Sequence, residues 1–161
     1  MKYKENGTKN LRHIWSVLCS SSVLDQDTNN LSLNNVVEQL NVDISEEDLR
    51  KKEAEKSEGF AVNVQLQLVT RIAKKIQNKS MVVNLKFDIL NPESKVVGSM
   101  TTGDIAMKKE LKNLRFRNNI PTLPIDKDGV YTIAVLLKEA GESQFTEVDR
   151  VPLDVIVKIK K

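Results

Sequence analysis

From residue 14 to residue 44 the chain reads IWSVLCSSSVLDQDTNNLSLNNVVEQLNVDI, two runs in which apolar side chains recur at every second position on either side of a polar cluster at 25 to 30. A period of two places successive side chains on opposite faces of an extended strand. Asp and Asn are residues whose side chains close turns, so the two runs predict a long β-hairpin. Trp15, Val17, Cys19, Ser21 and Val23 share one face, and Ile14, Ser16, Leu18, Ser20 and Ser22 the other. The Trp15 face is expected to be the core side. In the second run the apolar phase moves from Leu31 and Leu33 to Val36, Leu40, Val42 and Ile44, which predicts a bulge near Asn34 and Asn35.

The same alternation returns along the chain. Phe60, Val62, Val64, Leu66 and Leu68 alternate with polar or small residues, as do Met81, Val83, Leu85, Phe87 and Ile89. Leu114, Phe116, Asn118 and Ile120 alternate with Arg115, Arg117 and Asn119. Residues 130 to 137 are almost all apolar, the mark of a buried strand, and Val151, Leu153, Val155, Val157 and Ile159 close the series. Turn signals separate them: a basic turn at Lys74, Lys75, Asn78 and Lys79, then Asn91-Pro92-Glu93-Ser94, Asp128-Gly129 and Ala140-Gly141. Pro121 to Pro124 reads as an extended crossing, while residues 99 to 110 mix strand and turn signals. Ser45 caps a charged segment with acids in its first turn, so residues 45 to 58 form a short surface helix or a charged loop insertion.

Together these predict an all-β chain, an antiparallel two-sheet β-sandwich of immunoglobulin-like or related Greek-key type, with about eight strands and one short surface helix. Residues 1 to 11 form a polar, flexible lead-in and residues 12 to 161 a single domain. Tyr131, two residues after Gly129, has the spacing of the corner at which such sandwiches return a tyrosine hydroxyl to the backbone.

Composition narrows the chemistry. A formal charge of +3 from 25 basic and 22 acidic residues, with 4% aromatic content, is far from the steep basic excess of dedicated nucleic-acid domains. Cys19 is the single cysteine, which excludes an intrachain disulfide; in an apolar strand it reads as a small core residue. The N-terminal stretch lacks the apolar run of a secretory signal, and no stretch approaches a membrane span. The expectation is a cytoplasmic protein without membrane partners.

Residues 14 to 40, with their Leu-Cys strand, Asp-x-x-Thr-Asn turn, Leu-Ser-Leu and Val-Val-Glu-Gln-Leu, resemble the opening of a family of small uncharacterised bacterial proteins. Leu-Pro-Ile-Asp-Lys-Asp-Gly-Val-Tyr and the later Val-Pro-Leu resemble that family's close. The resemblance covers most of the chain except residues 45 to 58 and 99 to 112. It implies a compact β-sandwich, and it carries no activity or residue role.

Catalytic and cofactor patterns are thin. His13 is the one histidine, with Ser16 and Cys19 near it in sequence and no nucleophile elbow. Asp25-x-Asp27-x-Asn29 opens like a calcium loop, but Asn30 stands where glycine belongs and Val36 where the bidentate acid belongs. Residues 98 to 103, Gly-Ser-Met-Thr-Thr-Gly, lack the ending of a phosphate loop. No cofactor and no metal are expected. The readable surface is basic: Lys108, Lys109, Lys112, Arg115 and Arg117 form a candidate interaction surface, to which Lys158, Lys160 and Lys161 are candidate additions. A non-enzymatic module binding a protein partner or itself is the leading reading, weak nucleic-acid binding through the basic strand faces is the alternative, and an enzyme using Glu38, Asp104 and Asp128 is third.

Overall fold

A computed structural model describes residues 6 to 55 and 59 to 160. Nine strands and one helix follow in order: β1 (Leu11–Leu24), β2 (Leu31–Val36), β3 (Gln39–Ser45), α1 (Glu46–Glu55), β4 (Phe60–Lys74), β5 (Met81–Leu90), β6 (Val96–Met107), β7 (Asn113–Ile125), β8 (Gly129–Glu139) and β9 (Thr146–Lys160). They form a four-stranded sheet ordered β2-β1-β4-β7, here sheet A, and a five-stranded sheet ordered β3-β9-β8-β5-β6, here sheet B. The expected β-sandwich is the fold. All sheet neighbours run antiparallel except β3 and β9, which are parallel.

The core lies between the sheets. Leu66, Leu68 and Ile72 of β4 meet Leu85 and Phe87 of β5 and Ile133, Val135 and Leu137 of β8 in one apolar cluster. Burial of this kind, at about 25 cal/mol per Å² of apolar surface, supplies most of the drive to fold. The alternation read from β4 and β5, with the continuous apolar run of β8, therefore locates the core.

At Tyr131 the expected corner is present. Its hydroxyl accepts the backbone N–H groups of Asp126 at 2.9 Å and Lys127 at 3.3 Å, and donates to the Asp126 carboxylate. The ring is buried, so the turn before β8 is pinned to the core at one point.

Three expectations change. The phase shift near Asn34 and Asn35 is not a bulge: β1 and β2 keep one register from Leu24↔Leu31 to Cys19↔Val36. The chain instead passes Asn35, at φ 49°, and leaves sheet A to become β3 in sheet B. A change of sheet inverts which face is inside, and the apolar phase must shift with it. Secondly, the residues expected as a crossing belong to β7, where Thr122 and Pro124 pair with Asn63 and Ala61; prolines are tolerated because β7 is an edge strand. Thirdly, β9 begins at Thr146 rather than 151. Pro152 faces Thr132 of β8, and β3 covers β9 only from Asp154 onward, which leaves the proline beside an open edge.

The polar lead-in divides. Residues 1 to 5 lie outside the described residues, whereas Thr8 is buried and donates to the Glu139 carboxylate. Asn10 adds its backbone N–H at 2.8 Å and its side-chain amide at 2.7 Å. Although burial opposes it, these bonds hold the Glu139 carboxyl below its ordinary range. Helix α1 has the Ser45 cap, with the Asp48 N–H donating to Ser45 Oγ at 3.1 Å. The rest of the expected insertion, residues 56 to 58, lies outside the described residues.

Candidate functional site

The face of β1 that carries Trp15 is not the core side. A one-residue bulge between His13 and Trp15 shifts the β1–β4 register, and Leu11 and Leu18 enter the inter-sheet core in place of Trp15 and Val17. Directly opposed residues of an antiparallel pair point to the same face. Across β1, β4 and β7 the outer face of sheet A therefore reads in rows: Arg12, Ala73 and Asn113; Trp15, Arg71 and Arg115; Val17, Val69 and Arg117; Cys19, Gln67 and Asn119. No acidic residue occurs in these rows.

This outer face is covered in part: Cys19 and Val69 are buried, while Arg12, Arg117 and Asn119 are exposed. The Arg115 guanidinium donates to the backbone oxygen of Asn29 at 2.9 Å and to its side-chain oxygen. Asn29 lies in the β1–β2 turn, whereas Arg115 is aligned with Trp15. Nine residues of extended strand from Trp15 to Leu24 span about 30 Å, a distance no arginine side chain bridges. The hairpin must fold back over the sheet. That accounts for Cys19 and Val69, both at 0% exposure although neither belongs to the inter-sheet core.

The folding-back opens a fork in sheet A. β1 stays paired with β4 as far as Cys19↔Gln67, and beyond it pairs with β2 alone. Phe60 to Asn63 and Leu66 of β4 then pair with β7 alone, and the register of that pairing shifts by one residue across Val64 and Gln65. A cleft of about 220 Å³ sits at the crotch, with Ser20 on one arm and Val64, Gln65 and Asn119 on the other. A larger cleft of about 540 Å³ lies beside α1, where Lys52 Nζ stands 4.7 Å from the Phe60 ring centroid among charges of both signs.

The basic residues named from sequence separate. Arg115 and Arg117 lie on the outer face of sheet A, whereas Lys108, Lys109 and Lys112 stand exposed in the β6–β7 turn. Lys158 and Lys160 belong to β9 in sheet B, where Lys160 pairs with Asp43 at 2.7 Å, so they do not extend the stripe; Lys161 lies outside the described residues. Arg71 was missed. Its signal is a lone charge at the outward phase of an otherwise uncharged, mostly apolar run, Leu-Val-Thr-Arg-Ile-Ala.

His13 is buried where β1 meets β9. Its Nε2 lies 2.8 Å from Ser16 Oγ and 3.3 Å from Asp149 Oδ2, and Ser16 continues to Thr70 at 3.0 Å. A catalytic triad needs the acid and the nucleophile on opposite ring nitrogens. Here both contact the same one. Burial holds the imidazole below its ordinary pKa, against the pull of Asp149.

The calcium-like loop is an Asx turn: the Asp25 carboxylate accepts the N–H groups of Asp27 at 2.9 Å and Thr28 at 3.1 Å. Residues 98 to 103 are part of strand β6. The Cys19 thiol donates to the Gln67 carbonyl at 3.5 Å, and burial pushes its pKa up. Glu38, Asp104 and Asp128 are dispersed to the sheet switch, β6 and the β7–β8 turn. Among the described residues no three His, Cys, Asp or Glu side chains converge, and no helix is long and apolar enough to cross a membrane.

No protein-family model matches the chain, and no curated protein matches it. Among solved structures it is similar to the C-terminal domain of Wzt. That likeness has a TM-score of 0.51 at 12% identity and covers 93% of this chain and 75% of the other. At this identity the likeness supports the β-sandwich fold alone.

Proposed function

We propose that the chain is a non-enzymatic interaction module that takes up an extended segment of a protein partner, or of a second copy, by strand addition in the fork of sheet A. The observation that carries this reading is the one-sided pairing of Phe60 to Asn63 and of Leu66, on either side of an irregularity at Val64 and Gln65. A strand edge with unspent N–H and C=O groups is a template for another strand, and pockets for alternate side chains supply selectivity. The cleft between Ser20 and Val64 is such a pocket. In this reading the chain belongs with the small bacterial β-sandwich proteins that its opening and close resemble, and acts in the cytoplasm.

The test is capture by the tagged full chain from lysate of its native host, with and without nuclease, followed by amide exchange on the recovered complex. A protein retained in both arms, with exchange slowed within residues 60 to 66, supports strand addition. A strictly monomeric chain that captures nothing, or protection confined elsewhere, overturns it. Nucleic acid is the second reading, favoured by the alignment of Arg71, Arg115 and Arg117 without an acid. It requires retention only without nuclease, lost on reversal of Arg115 and Arg117 to Glu, and affinity that falls steeply with salt.

A further inference from the structure

The outer face of sheet A contains a charge that nothing in the fold satisfies. Arg71 is half-buried, its Nε is shielded from solvent, and that atom has no hydrogen-bond partner. Among the described residues neither Arg71 nor Arg117 has an ion pair or a side-chain hydrogen bond, and Arg115 is bonded only to the uncharged Asn29. Leaving a shielded guanidinium nitrogen unpaired is costly, and in a native structure such a group calls for a partner.

Arg71 and Arg115 are opposed in register, and Arg117 is the next residue of β7 with the same outward phase. Two neutral amide residues, Gln67 and Asn119, stand one row beyond Val69 and Arg117, with the Gln67 amide donating to Asn119 at 2.9 Å. Guanidinium groups match the oxygens of phosphate and carboxylate with paired N–H donors. Three positive charges without an aligned acid balance a doubly charged phosphate better than a singly charged carboxylate. The hairpin tip lies over Arg115 while Arg117 stands exposed beside it, so the site is bounded on one side, and a small ligand fits it better than a polymer.

We propose that Arg71, with Arg115 and Arg117, holds the phosphate group of a small ligand between sheet A and the folded-back β1–β2 hairpin. This site is separate from the fork and does not depend on strand addition there.

Trp15 is the only tryptophan in the chain and is the register neighbour of Arg71, so its fluorescence reports on the site directly. The full chain is titrated at constant ionic strength with inorganic phosphate, adenosine monophosphate, acetate and oligothymidylate. We expect a saturable change in Trp15 emission with phosphate, shared or competed by the monophosphate ester, and little change with acetate. Arg71→Gln weakens it about tenfold or more, the loss of a charge-assisted bond. Phosphate also raises the melting temperature of the wild-type chain and not that of the variant. Arg117→Gln gives a second reading should Arg71→Gln fold poorly, with affinity reduced and the hairpin contact of Arg115 intact. No saturable response to either phosphate compound, an adventitious response equal in both variants, or an equal response to acetate overturns the proposal. Oligothymidylate binding many-fold tighter than the monophosphate also overturns it, in favour of a polymer.

Discussion

The two halves of β4 share one strand, one partner in β7 and one apolar rhythm, yet they stand in different surroundings. From Gln67 to Lys74 the strand has β1 on one side and β7 on the other. In residues 60 to 66 the strand has β7 alone, with the pairing interrupted at Val64 and Gln65. In the closed half both faces are covered, by sheet B within and by the hairpin without, so Leu68 and Val69 are adjacent in sequence and both at 0% exposure. In the open half Ala61, Asn63 and Gln65 are exposed while Val64 and Leu66 remain buried. A strand's side-chain pattern records its faces; its neighbours are set by where the adjacent strand turns away.

Substitutions that shorten side chains in each half sharpen this contrast. Leu68→Ala in the closed half should cost the most, about 2 to 5 kcal/mol, because a site packed from all sides cannot collapse onto the space left behind. Urea denaturation with an unchanged slope checks it. Val64→Ala in the open half should cost about 1 to 2 kcal/mol, since the fork can close slightly around the gap; a loss as large as that of Leu68→Ala would break the comparison.

The closed half also has a pH signature. His13 is aligned with Ile72 and has a folded pKa below its ordinary value of 6.5, with burial as the first cause. Below 6.5 the unfolded chain binds the proton more readily than the folded one, so stability falls as pH drops through the window just beneath 6.5 and is fully present above it. His13→Gln should flatten that part of the profile in denaturant midpoints measured from pH 5 to 8. A wild-type profile that rises toward pH 5 would contradict the assignment. The smallest expected effect is that of Asn29→Ala, about 1 kcal/mol or less because the contact with Arg115 is exposed. Its readout is iodide quenching of Trp15, which should increase as the hairpin tip is released.

Much of this architecture was legible in the residues. The alternation in β4, β5 and β7 and the continuous apolar run of β8 identified the strands, and the Gly129–Tyr131 spacing pointed to the corner that the Tyr131 hydroxyl forms. β1 was harder for a physical reason. Its two faces are both covered, so Trp15, Val17 and Cys19 compete with Leu11 and Leu18 for the core, and period two alone does not say which layer lies outside. The phase shift at Asn34 and Asn35 was a true signal whose cause, a change of sheet, needs the position of β9 to be understood. Of the basic surface, Arg115 and Arg117 were visible, but Arg71 became significant only when register set it beside them. The lysines of the β6–β7 turn and of β9 share only sign with those arginines.

The most direct test is amide hydrogen exchange of the free chain, resolved residue by residue along β4. We expect near-global protection through residues 67 to 74 and, within residues 60 to 66, alternation between amides protected by β7 and amides that exchange rapidly into the fork. Uniform protection along the whole strand would mean that residues 60 to 66 are paired on both sides in solution, and the strand-addition reading would fall with it.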